Sequence, residues 1–538
     1  MNPQISYVHG ASDIPLLGET IGENLRKTVE KFPNHDALIC AHQEYKATYQ
    51  EFYDQVTQVS KALIALGAKS GDRVGIWSPN CYQWVLLQYA TARTGVIMVN
   101  INPAYRTSEL IFVLNQSEIS YLFSALQFKT SNYQKMVEDA REFTTSLKEE
   151  IFWDKSWENF LEKGKSISDE TLAEREQKVQ FDDPVNIQYT SGTTGFPKGV
   201  TLSHHNILNN GYFIGIRLHY SEKDRVCIPV PFFHCFGMVI GNLACTSHGA
   251  TMVIPNDSFD PIKTLETVEK EKCTSLYGVP TMFIAMLHEM QKREFEVSSL
   301  RTGVMAGSVC PPEVMKKVEE KMNMKEITIC YGMTETSPVS TQTKIGTPFE
   351  KQIHSVGTIH NHLEIKIINP ETGAIVNRGE NGELCTRGYS VMLKYWNNPE
   401  GTKQVLDEQR WMHTGDLAQM DDEGYINISG RIKDLIIRGG ENISPKEIED
   451  FLYTYPGVQD AQIIGVPSEK YGEEVMAWIK VREGAEVKED ELLSFCKEKI
   501  AHYKVPKYWK FVEEFPMTIS GKIRKVEMRE ISIKELGL

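Results

Sequence analysis

Residues 190–200, Thr-Ser-Gly-Thr-Thr-Gly-Phe-Pro-Lys-Gly-Val, concentrate hydroxyls, glycines and one lysine directly after a strand-like run at 185–189. Glycines let a backbone turn its N–H groups toward an anion with no Cβ in the way. Ser191, Thr193 and Thr194 add hydroxyl donors, and Lys198 adds a point charge. This inventory suits a polyphosphate, although the same composition also makes solvent loops. The common nucleotide loop G-x-x-x-x-G-K-[ST] is not matched, because Pro197 precedes the lysine and Gly199 follows it.

Four other segments carry residues that could work beside such a loop. Tyr331-Gly332-Met333-Thr334-Glu335 places a ring that can stack on a base close to a carboxylate that can hold Mg²⁺ through oxygen. A core tyrosine followed by a surface glutamate has the same pattern. In His413-Thr414-Gly415-Asp416 the aspartate beyond a tight glycine turn can accept two ribose hydroxyls, or simply close an Asx-turn. Arg431 and Lys433 precede the pair Gly439-Gly440, which either lets a ligand pass close to the backbone or forms a plain β-turn. Pro516-Met517-Thr518-Ile519-Ser520-Gly521-Lys522 ends in a lysine on a short turn, a position where lysines are commonly just solvated.

The elements that must position these residues alternate along most of the chain. Thr48 and Glu51 form a capping box, and Phe52, Val56, Val59, Leu63 and Leu66 continue as an amphipathic helix that stops at Gly67. Strands are expected at 72–77, 96–99, 225–229, 250–254, 275–277 and 326–329, with a buried helix at 84–94. Such alternation predicts an α/β fold with parallel sheets covered by helices, where ligands bind at the carboxyl ends of strands. After about residue 355 short alternating strands (364–368, 382–386, 424–428) indicate a small β-rich module. From Gly430 a compact α+β pattern begins, with Ser444-Pro445-Lys446-Glu447 reading as a capping box that opens a helix. The joint between domains is expected at 430–434.

A chain of 538 residues can bury several cores. Its net charge of −14 disfavours nucleic acid as a partner. The ten cysteines contain no C-x-x-C pair and several lie in apolar runs, as expected of buried thiols in a reducing compartment rather than of a structural zinc site. Met1 to Gly10 lacks the features of a signal or transit peptide, and no apolar run is long enough to span a bilayer. A cytoplasmic location is therefore expected, with peripheral membrane contact, and the choice between monomer and homodimer, left open.

Taken together and in this order, segments 190–200, 331–335, 414–416, 430–449 and 516–525 resemble the AMP-forming acyl-CoA synthetases of the adenylate-forming superfamily. That superfamily includes luciferases and the adenylation domains of peptide synthetases. The resemblance runs from Thr48 to Lys525 and is greatest to ligases of medium- and long-chain fatty acids. It implies a large N-terminal domain over 1–430, of parallel-sheet αβαβα layers with the β-rich subdomain at about 355–430. A small mobile α+β domain over 431–538 would follow, hinged near Lys433.

It further implies that Thr190, Ser191, Gly192, Thr193, Thr194, Gly195 and Lys198 hold the β- and γ-phosphates of ATP. Tyr331 would stack on adenine beside Gly307-Ser308, with Thr334 nearby. Glu335 would ligate Mg²⁺, Asp416 would take the ribose hydroxyls, and Arg431 would reach ribose or phosphate. Lys522 would bridge the substrate carboxylate and the α-phosphate, with Thr194 and Glu335 as further catalytic groups. Gly439 and Gly440 would face the pantetheine of coenzyme A. Gly332 falls where acetate- and propionate-activating relatives carry a bulky tryptophan, so the pocket walled by Phe233, His234, Gly332 and Met333 is expected to admit a longer chain. Phe232, Cys235, Phe236, Gly237 and Met238 add an apolar lining. The expected reaction joins a fatty acid to CoA through acyl-AMP. The alternatives are an aryl or cinnamate-type acid, or a carrier-protein thiol in place of CoA; luciferase-like oxygenation ranks below both.

Overall fold

The computed structural model describes residues 4–190, 197–439, 441–518 and 522–538. They form two compact units. One comprises Val8–Ile365 with Thr386–Met412; the other comprises Met1–Tyr7, Lys366–Cys385 and His413–Leu538.

The first unit is mixed α/β. Its nine-stranded sheet runs in spatial order Thr358–Ile359, Val339–Gln342, Glu326–Gly332, Thr302–Ala306, Ser275–Gly278, Arg225–Cys227, Thr251–Ile254, Asp36–Cys40, Tyr45–Thr48. The central pairings are parallel, as the alternation predicts, and antiparallel strands close both edges. A seven-stranded sheet follows the order Lys394–Tyr395, Lys198–Ser203, Pro184–Thr190, Ile97–Asn100, Arg73–Trp77, Ile119–Ser124, Glu149–Phe152. The helix Tyr82–Thr94 is buried over its whole length beyond Tyr82 and packs on strands of both sheets, which explains its lack of a polar face. The helix Tyr49–Ala65 opens with the expected capping box: Thr48 Oγ1 accepts from the Glu51 N–H, and Glu51 accepts from the Thr48 N–H at 2.8 Å. The buried segment Phe236–Leu243 is a π-helix, a form that is rare and concentrated at functional sites.

The second unit contains the antiparallel pairing of Met412–Met420 with Ile426–Arg431, where Asp416 lies opposite Arg431. Its last part is a sheet in the order Glu441–Ile443, Ile436–Arg438, Gly472–Val481, Val458–Ser468, with Tyr508–Phe511 added beside Gly472–Val481. Compactness divides the chain inside the strands Leu363–Ile368, Gly382–Gly388 and Met412–Met420, not at residue 430. The β-rich segments 366–385 and 413–430 are thus grouped with the C-terminal residues, where the sequence pattern attaches them to the N-terminal domain.

One local expectation is corrected. Pro445 opens the helix Pro445–Tyr453, yet Ser444 does not cap it. Its hydroxyl donates instead to the Ser429 carbonyl at 2.8 Å, so the capping-box pattern serves as a tether between two segments.

Candidate functional site

In the first unit, three strands carry the residues that the sequence singles out. Pro184–Thr190 and Lys198–Ser203 form an antiparallel hairpin whose last described pair is Thr190 opposite Lys198. Ser191, Gly192, Thr193, Thr194 and Gly195 lie outside the described residues. The Lys198 ammonium stands 5.0 Å from the centre of the Tyr395 ring, a cation–π contact. Tyr395 reaches this place because Lys394–Tyr395 pairs with the hairpin, Tyr395 opposite Val200.

The Tyr395 hydroxyl donates to Glu335 Oε1 at 2.8 Å. Glu335 sits on the short 3₁₀ turn Thr334–Thr336 after the strand Glu326–Gly332, and only 6% of its surface is exposed. Burying a carboxylate is expensive unless donors or cations compensate it. Tyr395 is one such donor. Burial, reinforced by the adjacent Glu335 charge, raises the Tyr395 phenol far above its ordinary range, so it stays a donor at neutral pH. The sequence gives no sign of Tyr395, since it lies 60 residues from Glu335 and outside every motif.

Tyr331 is the penultimate residue of the strand Glu326–Gly332 and is half-buried. The neighbouring parallel strand pairs Ala306 with Cys330, which brings Gly307 and Ser308 alongside Tyr331. Gly307 takes a positive φ of 92°, a conformation that favours glycine. Thr334 is buried, and Met333 is half-buried against the core.

Gly332 has a reason to be glycine that the sequence does not reveal. A β-bulge between Tyr331 and Gly332 brings the next strand so close that a Cβ at 332 would lie 1.6 Å from the Pro338 carbonyl oxygen. Glycine is required there by backbone proximity, whatever room it leaves for a ligand.

Around the π-helix, Phe232, Cys235 and Met238 are buried, and Phe233 and His234 are half-buried. His234 Nδ1 accepts from the Phe236 N–H at 3.2 Å, while the Cys235 thiol donates to Gln188 Oε1 at 3.1 Å. The Met238 sulfur accepts from Gln188 Nε2 at 3.2 Å and from Asn100 Nδ2 at 3.3 Å. These amides come from the seven-stranded sheet, so a polar network fixes the wall segment against the hairpin strand.

In the second unit, Asp416 is 7% exposed and its Oδ1 accepts from Arg431 Nε at 3.0 Å. The Arg431 side chain is 66% exposed. Gly415 has a positive φ of 71°, and its N–H donates to Glu383 Oε1 at 3.1 Å, which fixes the turn before Asp416. Lys433 is exposed on the 3₁₀ turn Ile432–Asp434. Gly439 has φ 60° and follows Arg438, which pairs with Glu441; Gly440 lies outside the described residues. Arg438 makes a forked ion pair with the buried Glu474, at 2.7 and 3.2 Å. Lys522 is exposed, and its backbone N–H donates to Thr518 Oγ1 at 3.0 Å while the Thr518 N–H donates to its carbonyl at 2.7 Å.

The first unit therefore brings together Lys198, Glu335 and Tyr395; Thr190 lies opposite Lys198 in the hairpin, and Gly307 and Ser308 lie alongside Tyr331 at strand ends of the nine-stranded sheet. The second unit holds Asp416 with Arg431, and separately Lys433, Gly439 and Lys522. Polar and acidic residues at the carboxyl ends of strands stand where open α/β sheets bind ligands.

Residues 25–396 match the AMP-binding enzyme family, and residues 447–522 match the AMP-binding enzyme C-terminal domain. The chain is 45% identical to the medium-chain acyl-CoA ligase ACSF2, mitochondrial, of Danio rerio, covering 99% of this chain and 91% of that one. It is likewise 45% identical to the putative acyl-CoA synthetase YngI of Bacillus subtilis, over 97% of this chain and 99% of the relative. The crystal structure of the anthranilate CoA ligase AuaEII with anthranoyl-AMP superimposes with a TM-score of 0.86 at 25% identity, covering 98% of this chain and 99% of that one. The chain belongs to the AMP-binding enzyme family and is an AMP-forming acid–CoA ligase.

Proposed function

We propose that this enzyme activates a medium- to long-chain fatty acid, using MgATP and coenzyme A. In the first step a carboxylate oxygen attacks the α-phosphorus, pyrophosphate leaves, and acyl-AMP forms. In the second the CoA thiol loses its proton and attacks the acyl carbon, the bond to AMP breaks, and acyl-CoA and AMP are released. The observation that carries this reading is the buried Glu335 carboxylate, hydrogen-bonded by Tyr395 beside the Lys198 ammonium at the mouth of the hydroxyl-rich hairpin.

The Glu335 carboxylate is an oxygen ligand of the kind a hard divalent cation takes. Glu335 would hold Mg²⁺, and the ion would offset phosphate charge when bound. Lys198 and Thr190, with the hydroxyls and amides of Ser191, Gly192, Thr193, Thr194 and Gly195, would bind the β- and γ-phosphates. Tyr331 would stack on adenine beside Gly307-Ser308, with Thr334 below. Asp416 would accept the ribose hydroxyls, with Arg431 oriented by its bond to Asp416. Lys522 would neutralise the charge that develops between carboxylate and α-phosphate in adenylation. Rotation of residues 431–538 about Lys433 would then exchange Lys522 for Gly439 and Gly440, which would flank the pantetheine arm.

For the acid, Phe233, His234, Gly332 and Met333 would wall the pocket. The name of the Danio rerio relative, a medium-chain acyl-CoA ligase, favours an aliphatic chain over an aryl acid. All ten cysteines are buried and none forms a disulfide, which suits a reducing compartment. We take that compartment to be the cytoplasm, although the Danio rerio relative is named as mitochondrial. Among the described residues no helix is long and apolar enough to cross a membrane.

The test is a panel of straight-chain fatty, benzoic and cinnamic acids, scored separately for pyrophosphate release and CoA-dependent AMP release. Higher kcat/KM for fatty acids of medium or greater length is expected in both assays. A preference for the aromatic acids overturns the substrate assignment. Pyrophosphate release without CoA-dependent turnover points instead to a carrier-protein thiol.

A further inference from the structure

Glu383 and Cys385 lie on the strand Gly382–Gly388, and His413 lies on Met412–Met420; all three belong to the second unit. Their ligand atoms all fall within 4.8 Å of one another. His413 Nδ1 is 3.0 Å from Glu383 Oε2 and 3.6 Å from Cys385 Sγ. Glu383 and Cys385 are buried, whereas the His413 side chain is 31% exposed, which leaves a path from solvent.

The S···N separation is close to what a tetrahedral cation imposes, and the O···N separation lies slightly inside it. Bonds of about 2.3 Å to sulfur and about 2.0–2.1 Å to nitrogen or oxygen put S and N roughly 3.5 Å apart and O and N roughly 3.3 Å apart. A divalent cation satisfies thiolate, imidazole and carboxylate together, and one sulfur, one nitrogen and one oxygen donor select a borderline metal over Mg²⁺ or Ca²⁺.

The geometry points to Glu383, Cys385 and His413 as a binding site for a zinc-class divalent cation, distinct from Glu335. Binding releases the thiol proton and leaves a fourth position to solvent. Because Glu383 Oε1 also accepts from the Gly415 N–H, metal loading ties the Thr414–Asp416 turn to the strand beside it. Cys385 and His413 are 28 residues apart, so no ligand spacing in the sequence announces the pair.

The test is titration of the chelator-treated full-length enzyme with Co²⁺ and, separately, Zn²⁺, without ATP. Expected are one tight equivalent and a thiolate-to-cobalt charge-transfer band that excess Mg²⁺ does not displace. Cys385→Ala should abolish the band and weaken binding by on the order of 100-fold. His413→Gln, at a partly exposed position, serves as a second ligand variant with unchanged circular dichroism and should weaken binding similarly. No uptake by the wild-type enzyme overturns the proposal. So does displacement by Mg²⁺, or a band and stoichiometry retained in folded Cys385→Ala or His413→Gln.

Discussion

The two groups of candidate functional residues are built differently. Glu335, Tyr395 and Lys198 come from three separate strands or turns of one unit, and the carboxylate at their centre is almost fully buried. Their positions are set by ladder pairing and by hydrogen bonds within the folded chain. Lys522, Lys433 and Arg431 instead stand exposed on turns or at a strand end of the other unit. Asp416 is the exception there, buried and holding Arg431. A buried constellation is pre-organised, so each partner matters before any ligand arrives. An exposed lysine costs the fold almost nothing and acquires its worth only against the charge of a substrate.

That contrast can be broken most sharply at Lys522. Lys522→Ala should lower adenylation by roughly 10²–10³ or more while leaving unfolding temperature and thioester formation from synthetic acyl-AMP unchanged. Equal loss in both half-reactions would sink the assignment. Lys433→Pro should do the reverse, sparing adenylation and slowing the thioester step, as read by single-turnover assays of each.

Next in size is Tyr395→Phe, which removes one donor from a buried carboxylate. A hydrogen bond to a charged group is worth about 1.5–3 kcal/mol, so adenylation should fall roughly 10- to 100-fold, with higher demand for Mg²⁺. An unchanged Mg²⁺ dependence would remove Tyr395 from the site.

Gly332→Ala separates a packing role from a pocket role. Its Cβ meets the Pro338 carbonyl, and overpacking of this kind costs about 1–3 kcal/mol. Denaturant unfolding should show that loss, with activity reduced for every acid. A change in chain-length preference at full stability would show that pocket room alone explains the glycine.

The smallest effect concerns His204, buried in the first unit, whose Nδ1 accepts from the Ile21 N–H. Burial pushes its imidazole down to about 3 from an ordinary 6.5. The unfolded chain takes up a proton below 6.5 and the folded chain does not, so stability is lost as pH falls through that window. The loss between pH 7 and pH 5 should be about 2 kcal/mol. Comparing urea unfolding of the wild type and His204→Gln at both pH values checks this, since the variant should lose that much less.

Local patterns carried much of the architecture. Thr48 with Glu51 marked the helix Tyr49–Ala65 because a capping box needs only residues three apart. The strands Arg73–Trp77, Ser275–Gly278 and Glu326–Gly332 were legible from short apolar runs between turn signals. Ser444 shows where the same logic fails: its pattern is that of a cap, yet its hydroxyl is taken by the Ser429 carbonyl. A competing partner brought by tertiary structure outbids a local bond of similar strength.

By itself, the sequence determined the α/β class and the family and singled out the motif residues from Thr190 to Lys522 as candidates, because these rest on residue type, short spacing and order along the chain. Only the tertiary structure decided that Tyr395 serves Glu335, that the Pro338 carbonyl forbids a side chain at 332, and that His413 meets Cys385 and Glu383. Those facts depend on which strands lie side by side. Sheet order is set by the packing of whole layers, and no periodicity or motif in one segment records its neighbour in another.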